Sequence, residues 1–279
     1  MRCFTVSLKE HFAFLNGSDP ALEAYLPYNM TEMCRENQRR PSVLICPGGG
    51  YVMCSQREAE PVALQYLKEG YNVFILWYSV APQRFPQPLR EAAAAAVELI
   101  HRNAEVWNCD EGRVAILGFS AGGHLAALYS NAFDWPEVRE VLPESKPVQA
   151  SVLCYPVISA DPAVAHMGSF EALLGHKPLI PEEVERFSCD RLVRDTTPPA
   201  FLWHTSEDDC VPEQNSLRYA AALAEHHVPF ELHIFPYGYH GMSTCTRETL
   251  DGEITPGMRH AQRWVEESCR WLKLQWDIE

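Results

Sequence analysis

The 279-residue sequence predicts an α/β fold, with a mostly parallel central sheet, helices on both faces and a small cap inserted over it. Three observations carry this prediction. Short, nearly continuous apolar runs recur along the chain, as strands buried on both faces require. Helical patterns fill the intervals between them, at the spacing of repeated βαβ units. One interval, Tyr155 to Thr197, is too long for a strand-to-helix loop and is rich in Pro, Gly, Ser and charge.

Taken in order, residues 1–40 read as strands forming an antiparallel edge, one of which ends at Tyr25-Leu26-Pro27. Buried strands follow at Ser42–Cys46, Asn72–Tyr78, Arg113–Leu117, Ala150–Cys154, Ala200–Thr205 and Phe230–Phe235. Helices are expected over Glu58–Glu69, Leu89–Val106, His124–Asn131, Asn215–His226 and Met258–Leu274. The alanine run Ala92–Ala96 lets its helix lie close to the sheet and needs no functional explanation. Within 155–197, short helices are expected at Ser169–Leu174 and Pro181–Phe187, so this stretch reads as a small cap or lid. There is no internal repeat or low-complexity tract, and one domain is expected to span 1–279.

Composition narrows the function classes. Hydrophobic residues at 47% and charged residues at 22% are ordinary for a soluble globular protein. The formal charge of −14, with no dense Lys/Arg block to offset it, argues against nucleic acid and anionic membrane surfaces as partners. No apolar run approaches the roughly 20 residues of a membrane span. Met1-Arg2-Cys3-Phe4-Thr5-Val6 lacks a signal peptide's apolar core and reads as the first strand. The 10 cysteines form no C-x-x-C pair, and Cys46 and Cys154 fall in core strands. That scatter reads as reduced thiols in a cytoplasmic protein.

Arg113 to Gly123 carries the most information. Val114-Ala115-Ile116-Leu117 is a buried strand, Gly118-Phe119-Ser120-Ala121-Gly122 fits G-x-S-x-G, and His124 onward reads as a helix. Strand, sharp turn and helix are the context of a nucleophile elbow, which exposes the Ser120 hydroxyl above the sheet in a strained conformation. Gly118 and Gly122 are needed because a Cβ there would clash with the neighbouring strand or helix. A plain Gly/Ser turn is the alternative, and it leaves the partners below unexplained.

Pro47-Gly48-Gly49-Gly50-Tyr51 directly follows strand Ser42–Cys46. A glycine triplet there lets bare backbone N–H groups approach a bound group. Oxyanion donors of a serine hydrolase are built at this place, from this loop and the residue after the nucleophile. Gly49, Gly50 and Ala121 are the candidates. A phosphate cradle is disfavoured, since neither G-x-G-x-x-G nor G-x-x-x-x-G-K-[ST] is present.

A serine hydroxyl needs a base. In the chain order Ser, Asp, His, that base should follow the last strand, where His240 stands before Gly241. His204 is the best rival of the other ten histidines, but it comes too early in that order. The acid should follow the penultimate strand, where Glu207, Asp208 and Asp209 are adjacent. Only one of them can orient the imidazole, and spacing alone leaves the choice open.

These motifs resemble those of α/β-hydrolase esterases and lipases, and in particular the bacterial carbohydrate esterases of the acetyl-xylan esterase-like, BD-FAE-like group. The similarity runs from about Pro41 to the C-terminal helix. It rests on Pro47–Tyr51, Tyr-Ser-Val-Ala-Pro at 78–82, Gly-Phe-Ser-Ala-Gly-Gly-His-Leu-Ala at 118–126, Pro-Pro-Ala-Phe-Leu-Trp-His-Thr at 198–205, Val211-Pro212 and His240-Gly241. The resemblance implies that the acid is the residue four after the strand-end histidine and three before the valine, which is Asp208. Relatives more often begin the oxyanion loop with His-Gly-Gly-Gly, where this chain has Pro47. It further implies a serine carboxylesterase acting on short acyl esters, of O-acetylated sugars or xylan oligosaccharides, with Ser120, His240 and Asp208 as the triad and no metal or cofactor. The expected partner is a small-molecule ester, with self-association into a homo-oligomer left open. Two rival readings are a peptidase of the prolyl oligopeptidase type, which usually carries a further large domain, and a non-catalytic binding member of the fold, which commonly lacks a triad residue.

Overall fold

The computed structural model describes residues 1–15 and 19–278, apart from the side chain of Ala96. Among these residues the strands are β1 (Arg2–Ser7), β2 (Ala21–Leu26), β3 (Arg40–Cys46), β4 (Asn72–Trp77), β5 (Cys109–Phe119), β6 (Ala150–Cys154), β7 (Ala200–Thr205) and β8 (Phe230–Phe235). They form one sheet in the order β1-β2-β4-β3-β5-β6-β7-β8. Strands β3 to β8 are parallel, and β1 and β2 add the antiparallel edge. The fold is the α/β-hydrolase fold that the sequence predicts. Strand β5 starts earlier than expected because its register against β3 jumps across the polar stretch 110–113.

Alternation along each strand builds two cores, one per face. Leu44, Cys46, Ile116 and Leu202 point to the face covered by the helical stretch 87–102, the helix Ser120–Ala132 and the helix Gln214–Glu225. Val43, Ile45, Leu117, Phe201 and Trp203 point to the face covered by the helices Glu60–Lys68 and Trp264–Gln275. Two helices differ from the periodicity. The alanine run loosens into a π-helical stretch over Ala93–Leu99 with Ala92 to Ala95 fully buried, and Asn103 ends that helix. The last helix is two, Pro256–Ala261 and Trp264–Gln275.

The stretch from 155 to 197 crosses the ends of the strands as two short helices, Met167–Leu174 and Pro181–Phe187, and a 3-10 turn at Cys189–Arg191. Phe170, Leu173, Phe187 and Cys189 are buried in the same core as the helix Ser120–Ala132, so this stretch packs down onto the sheet. All ten cysteines are free; Cys3, Cys34 and Cys210 are exposed, whereas six others are buried. No helix among the described residues is long and apolar enough to cross a membrane.

Topology sets the position of the site. The chain steps from β3 outward to β4 and then returns to β5 on the other side of β3. In open α/β sheets, ligands bind at the carboxyl ends of strands at such a reversal. Here Cys46 pairs with Gly118, which places the loop after β3 beside the turn after β5.

Candidate active site

The turn after β5 is built by steric necessity. A Cβ on Gly118 would stand 2.2 Å from the Gly122 carbonyl oxygen, and one on Gly122 would stand 2.1 Å from that of Cys46. Between them Ser120 takes φ of 52°, a left-handed conformation that costs a non-glycine residue about 1–3 kcal/mol. The helix begins at Ser120 itself, four residues earlier than its apolar pattern indicates, because Gly122 and Gly123 weaken the helical signal. The N–H of Ala121 therefore lies in the first turn, where no intrahelical acceptor exists.

The loop after β3 lies against this turn. Gly49 and Gly50 take φ of 124° and 63°, and a Cβ on Gly49 would stand 2.2 Å from the Met53 carbonyl oxygen. Tyr51, the next residue, donates its hydroxyl hydrogen to His124 Nδ1 at 2.8 Å, while His124 Nε2–H donates to the Phe187 carbonyl at 2.9 Å. Burial holds His124 down to about 4, so the ring is neutral and ties the glycine loop, the helix and the 155–197 stretch together.

The carboxylates after β7 separate by burial. Asp208 is 6% exposed, while Glu207 and Asp209 are exposed. Asp208 Oδ1 accepts the N–H groups of Cys210 and Val211 at 3.0 and 2.8 Å. Its Oδ2 lies 2.7 Å from His240 Nδ1 and 3.3 Å from His204 Nε2. Burial pushes the Asp208 carboxyl up, but hydrogen bonds from His204 and then His240 outweigh it and hold the group well below the usual carboxylate range. Glu207 accepts from Gly238 N–H at 2.9 Å and so pins the turn before His240. His204 remains within the core, between Ser216 and the Val211 carbonyl.

His240 Nε2 lies 2.8 Å from Ser120 Oγ. Ionised Asp208 accepts Nδ1–H, which leaves Nε2 as the free lone pair facing the serine hydroxyl. The six candidates from the sequence thus gather at the carboxyl ends of the strands, contributed by the loops after β3, β5, β7 and β8.

Four further groups stand at these strand ends that periodicity and motifs did not single out. Glu58, expected only as a helix start, is buried beside Gly48. Tyr155 packs edge-on to the His240 ring at 5.0 Å between centroids. His166 Nδ1 and Ser169 Oγ are 2.8 Å apart, and Ser169 Oγ lies 3.9 Å from where a Cβ on Gly50 would be. Burial lowers His166, and the nearby His240 adds to that shift. No local sequence signal marks these groups: Glu58 and Tyr155 meet each other across 97 residues, and the His166–Ser169 pair reaches the site only because its stretch folds back beside Gly50.

The BD-FAE family model matches residues 25–223. The chain belongs to this family. This BD-FAE chain is 35% identical over 236 residues to endo-1,4-beta-xylanase B of Butyrivibrio fibrisolvens, covering 82% of the chain and 36% of that protein. It is 33% identical over 219 residues to the acetylxylan esterase of Xylanibacter ruminicola, covering 76% of the chain and 43% of that protein. It therefore spans less than half the length of these two curated relatives. Among solved structures, the acetyl ester-xyloside bifunctional hydrolase of Caldicellulosiruptor lactoaceticus matches with a TM-score of 0.83 at 36% identity, over 100% of this chain and 98% of that one. A carboxylesterase of Lactobacillus plantarum matches with a TM-score of 0.85 at 26% identity, over 100% and 99%. Family and fold together are those of carboxylic ester hydrolases.

Proposed function

We propose that this chain is a serine carboxylesterase that removes short acyl groups, acetyl foremost, from O-acylated sugars such as xylan oligosaccharides. The observation that carries the reading is the continuous chain of 2.7 and 2.8 Å contacts from Asp208 through His240 to Ser120, facing the glycine loop after β3. In this reading Ser120 Oγ attacks the ester carbonyl carbon as His240 Nε2 takes its proton. Asp208 keeps the imidazole in the required tautomer and stabilises the imidazolium. The N–H groups of Gly49, Gly50 and Ala121 receive the oxyanion. His240 returns the proton to the leaving alcohol, the acyl group stays on Ser120, and water repeats the cycle to release the acid.

The substrate class draws on three supports. Two relatives carry acetylxylan esterase and acetyl ester-xyloside hydrolase in their names. The 155–197 stretch, read as a small cap, brings the polar His166 and Ser169 to the site, where they suit a hydroxylated leaving group. A cap this small, packed down onto the sheet, would leave room only for short acyl groups. Ten unpaired cysteines fit a reducing, cytoplasmic compartment.

Initial rates on acetyl to decanoyl nitrophenyl esters and on acetylated xylo-oligosaccharides test the reading. Ser120→Ala should lower turnover by on the order of 10³-fold or more while the protein stays folded. Rates should fall sharply by about eight acyl carbons, as a pocket of limited size requires. Retention of more than about a tenth of the activity in Ser120→Ala would remove Ser120 as nucleophile. Rates rising steadily to decanoyl would replace the sugar-ester reading with a lipase-like one.

A further inference from the structure

We propose that Glu58 is a positioning residue whose buried carboxylate clamps the loop of the oxyanion donors to the loop that carries His240, with Tyr155 as the bridge. This rests on the hydrolase reading above and adds to it a second carboxylate with a separate task.

Glu58 is 3% exposed and closes the short turn Gln56–Glu58 that follows the glycine loop. Its Oε2 accepts the N–H of Gly48 at 2.9 Å. Its Oε1 accepts the hydroxyl hydrogen of Tyr155 at 2.6 Å. The Tyr155 oxygen in turn accepts the N–H of Ser243 at 2.9 Å, three residues past His240. Ser243 Oγ also donates to the Arg57 carbonyl, which fastens the same two loops a second time. One carboxylate thus connects segments that follow β3, β6 and β8.

The fit around it is tight. A Cβ on Gly48 would stand 2.7 Å from Glu58 Oε2 and 2.9 Å from Ser120 Cβ, so the carboxylate, the Gly48 backbone and the nucleophile are close-packed. A Cβ on Gly241 would stand 3.9 Å from Glu58 Oε1. A shift of the Glu58 side chain would therefore be felt beside both Ser120 and His240.

Burying a carboxylate is costly, and an apolar side chain would pack the same space more cheaply. The titratable groups that face Glu58 are Tyr155, Tyr78, Cys154, Arg57 and His240. Burial pushes the Glu58 carboxyl up, and the bonds from Tyr155 and Gly48, then the charges of His240 and Arg57, pull it back. Arg57 is partly solvated and reaches toward Asp251, so its charge is screened. The imidazolium of the proposed mechanism is the better shielded partner, its side chain 18% exposed against 41% for Arg57, and a carboxylate at Glu58 favours its formation. The clamp and the charge both act in the transition state, so removing them should reduce turnover more than substrate binding.

The test uses Glu58→Gln, Glu58→Asp and Tyr155→Phe with nitrophenyl acetate as substrate. Glu58→Gln keeps the shape but loses the charge and one acceptor. Its kcat should fall about 10- to 100-fold with KM within about threefold, and the acidic limb of kcat/KM should move to lower pH, because a negative charge near the base is gone. Glu58→Asp, which keeps the charge, should leave that limb in place. Tyr155→Phe keeps the ring and cuts the bridge, with kcat lower by about 3- to 10-fold. The double variant Glu58→Gln/Tyr155→Phe should be little worse than Glu58→Gln, since both act on one network. A folded Glu58→Gln with kcat within about twofold of the parent overturns the proposal, and so does a kcat loss with no shift of the acidic limb. If Glu58→Gln does not fold, Tyr155→Phe decides: reduced kcat at constant KM supports the clamp, and unchanged kcat overturns it. Failure here leaves Ser120-dependent hydrolysis by the parent intact, whereas failure of the hydrolase reading abolishes that dependence.

Discussion

Two buried carboxylates are bonded to the His240 loop, Asp208 directly and Glu58 through Tyr155, and their chemistry diverges. Asp208 and Glu58 are almost equally buried, at 6% and 3% exposure. Yet Asp208 is held well below the usual carboxylate range, while Glu58 is raised. The difference lies in donors. Asp208 receives two backbone N–H groups at one oxygen, and at the other it faces His240 and His204. Glu58 receives one N–H and one hydroxyl, and among the described residues no cation forms an ion pair with it. Burial alone does not set the charge state of an acid; the number and polarity of its donors decide it. Paired acids whose environments push them apart suit divided labour, and in the proposed mechanism Asp208 would orient the base while Glu58 would clamp the loops.

Breaking the Asp208 side should have the largest effect. Asp208→Asn should lower kcat on the order of 10³- to 10⁴-fold with the fold retained, because the amide favours the wrong imidazole tautomer. Steady-state rates alongside melting curves check this, and a loss below about tenfold would show that Asp208 does not hold the base.

The pH dependence of stability should sharpen the contrast, since the two shifts have opposite signs. A depressed acid such as Asp208 contributes stability that is present above its unfolded value, near 3.8, and is lost as pH falls through its lower folded value. A raised acid such as Glu58 contributes stability present below its unfolded value, near 4.5, and lost as pH rises through its higher folded value. The Tm deficit of Asp208→Asn should therefore shrink as pH is lowered from 5 toward 3, an acid window of roughly the width this linkage requires. The Tm of Glu58→Gln relative to the parent should instead improve as pH rises above about 4.5. Melting curves across this range decide it, and parallel trends in the two variants would remove the distinction.

The smallest effects belong to the neighbours of Asp208. Glu207→Gln and Asp209→Asn should each keep kcat within about threefold, as exposed carboxylates outside the contact chain should.

What the sequence makes legible follows from how local the cause is. Gly118 is dictated by a clash with Gly122 four residues on and Gly122 by one with the end of the neighbouring strand at Cys46, yet strand, G-x-S-x-G turn and helix are contiguous, so the elbow can be read from eleven consecutive residues. The parallel sheet is legible for the same reason, since each buried strand declares itself as an apolar run. Asp208 is not legible alone, because Glu207 and Asp209 share its chemistry and only burial and family resemblance separate them. Glu58 is invisible, since its partner Tyr155 lies 97 residues away and its own neighbours look like a solvated helix start. The break between Ala261 and Trp264 has no Gly or Pro to announce it, so periodicity runs through it.

The central claim is an acyl-enzyme on Ser120 formed with the help of His240 and Asp208. A nitrophenyl diethyl phosphate, which transfers its phosphoryl group to an activated serine and is then held there, tests it directly. Peptide mass mapping after inactivation should find one diethylphosphoryl group on the peptide that contains Ser120. The label should be absent from Ser120→Ala and form far more slowly in Asp208→Asn, in step with lost ester hydrolysis. Inactivation with the label on another residue, or full ester hydrolysis with Ser120 labelled, would contradict the account.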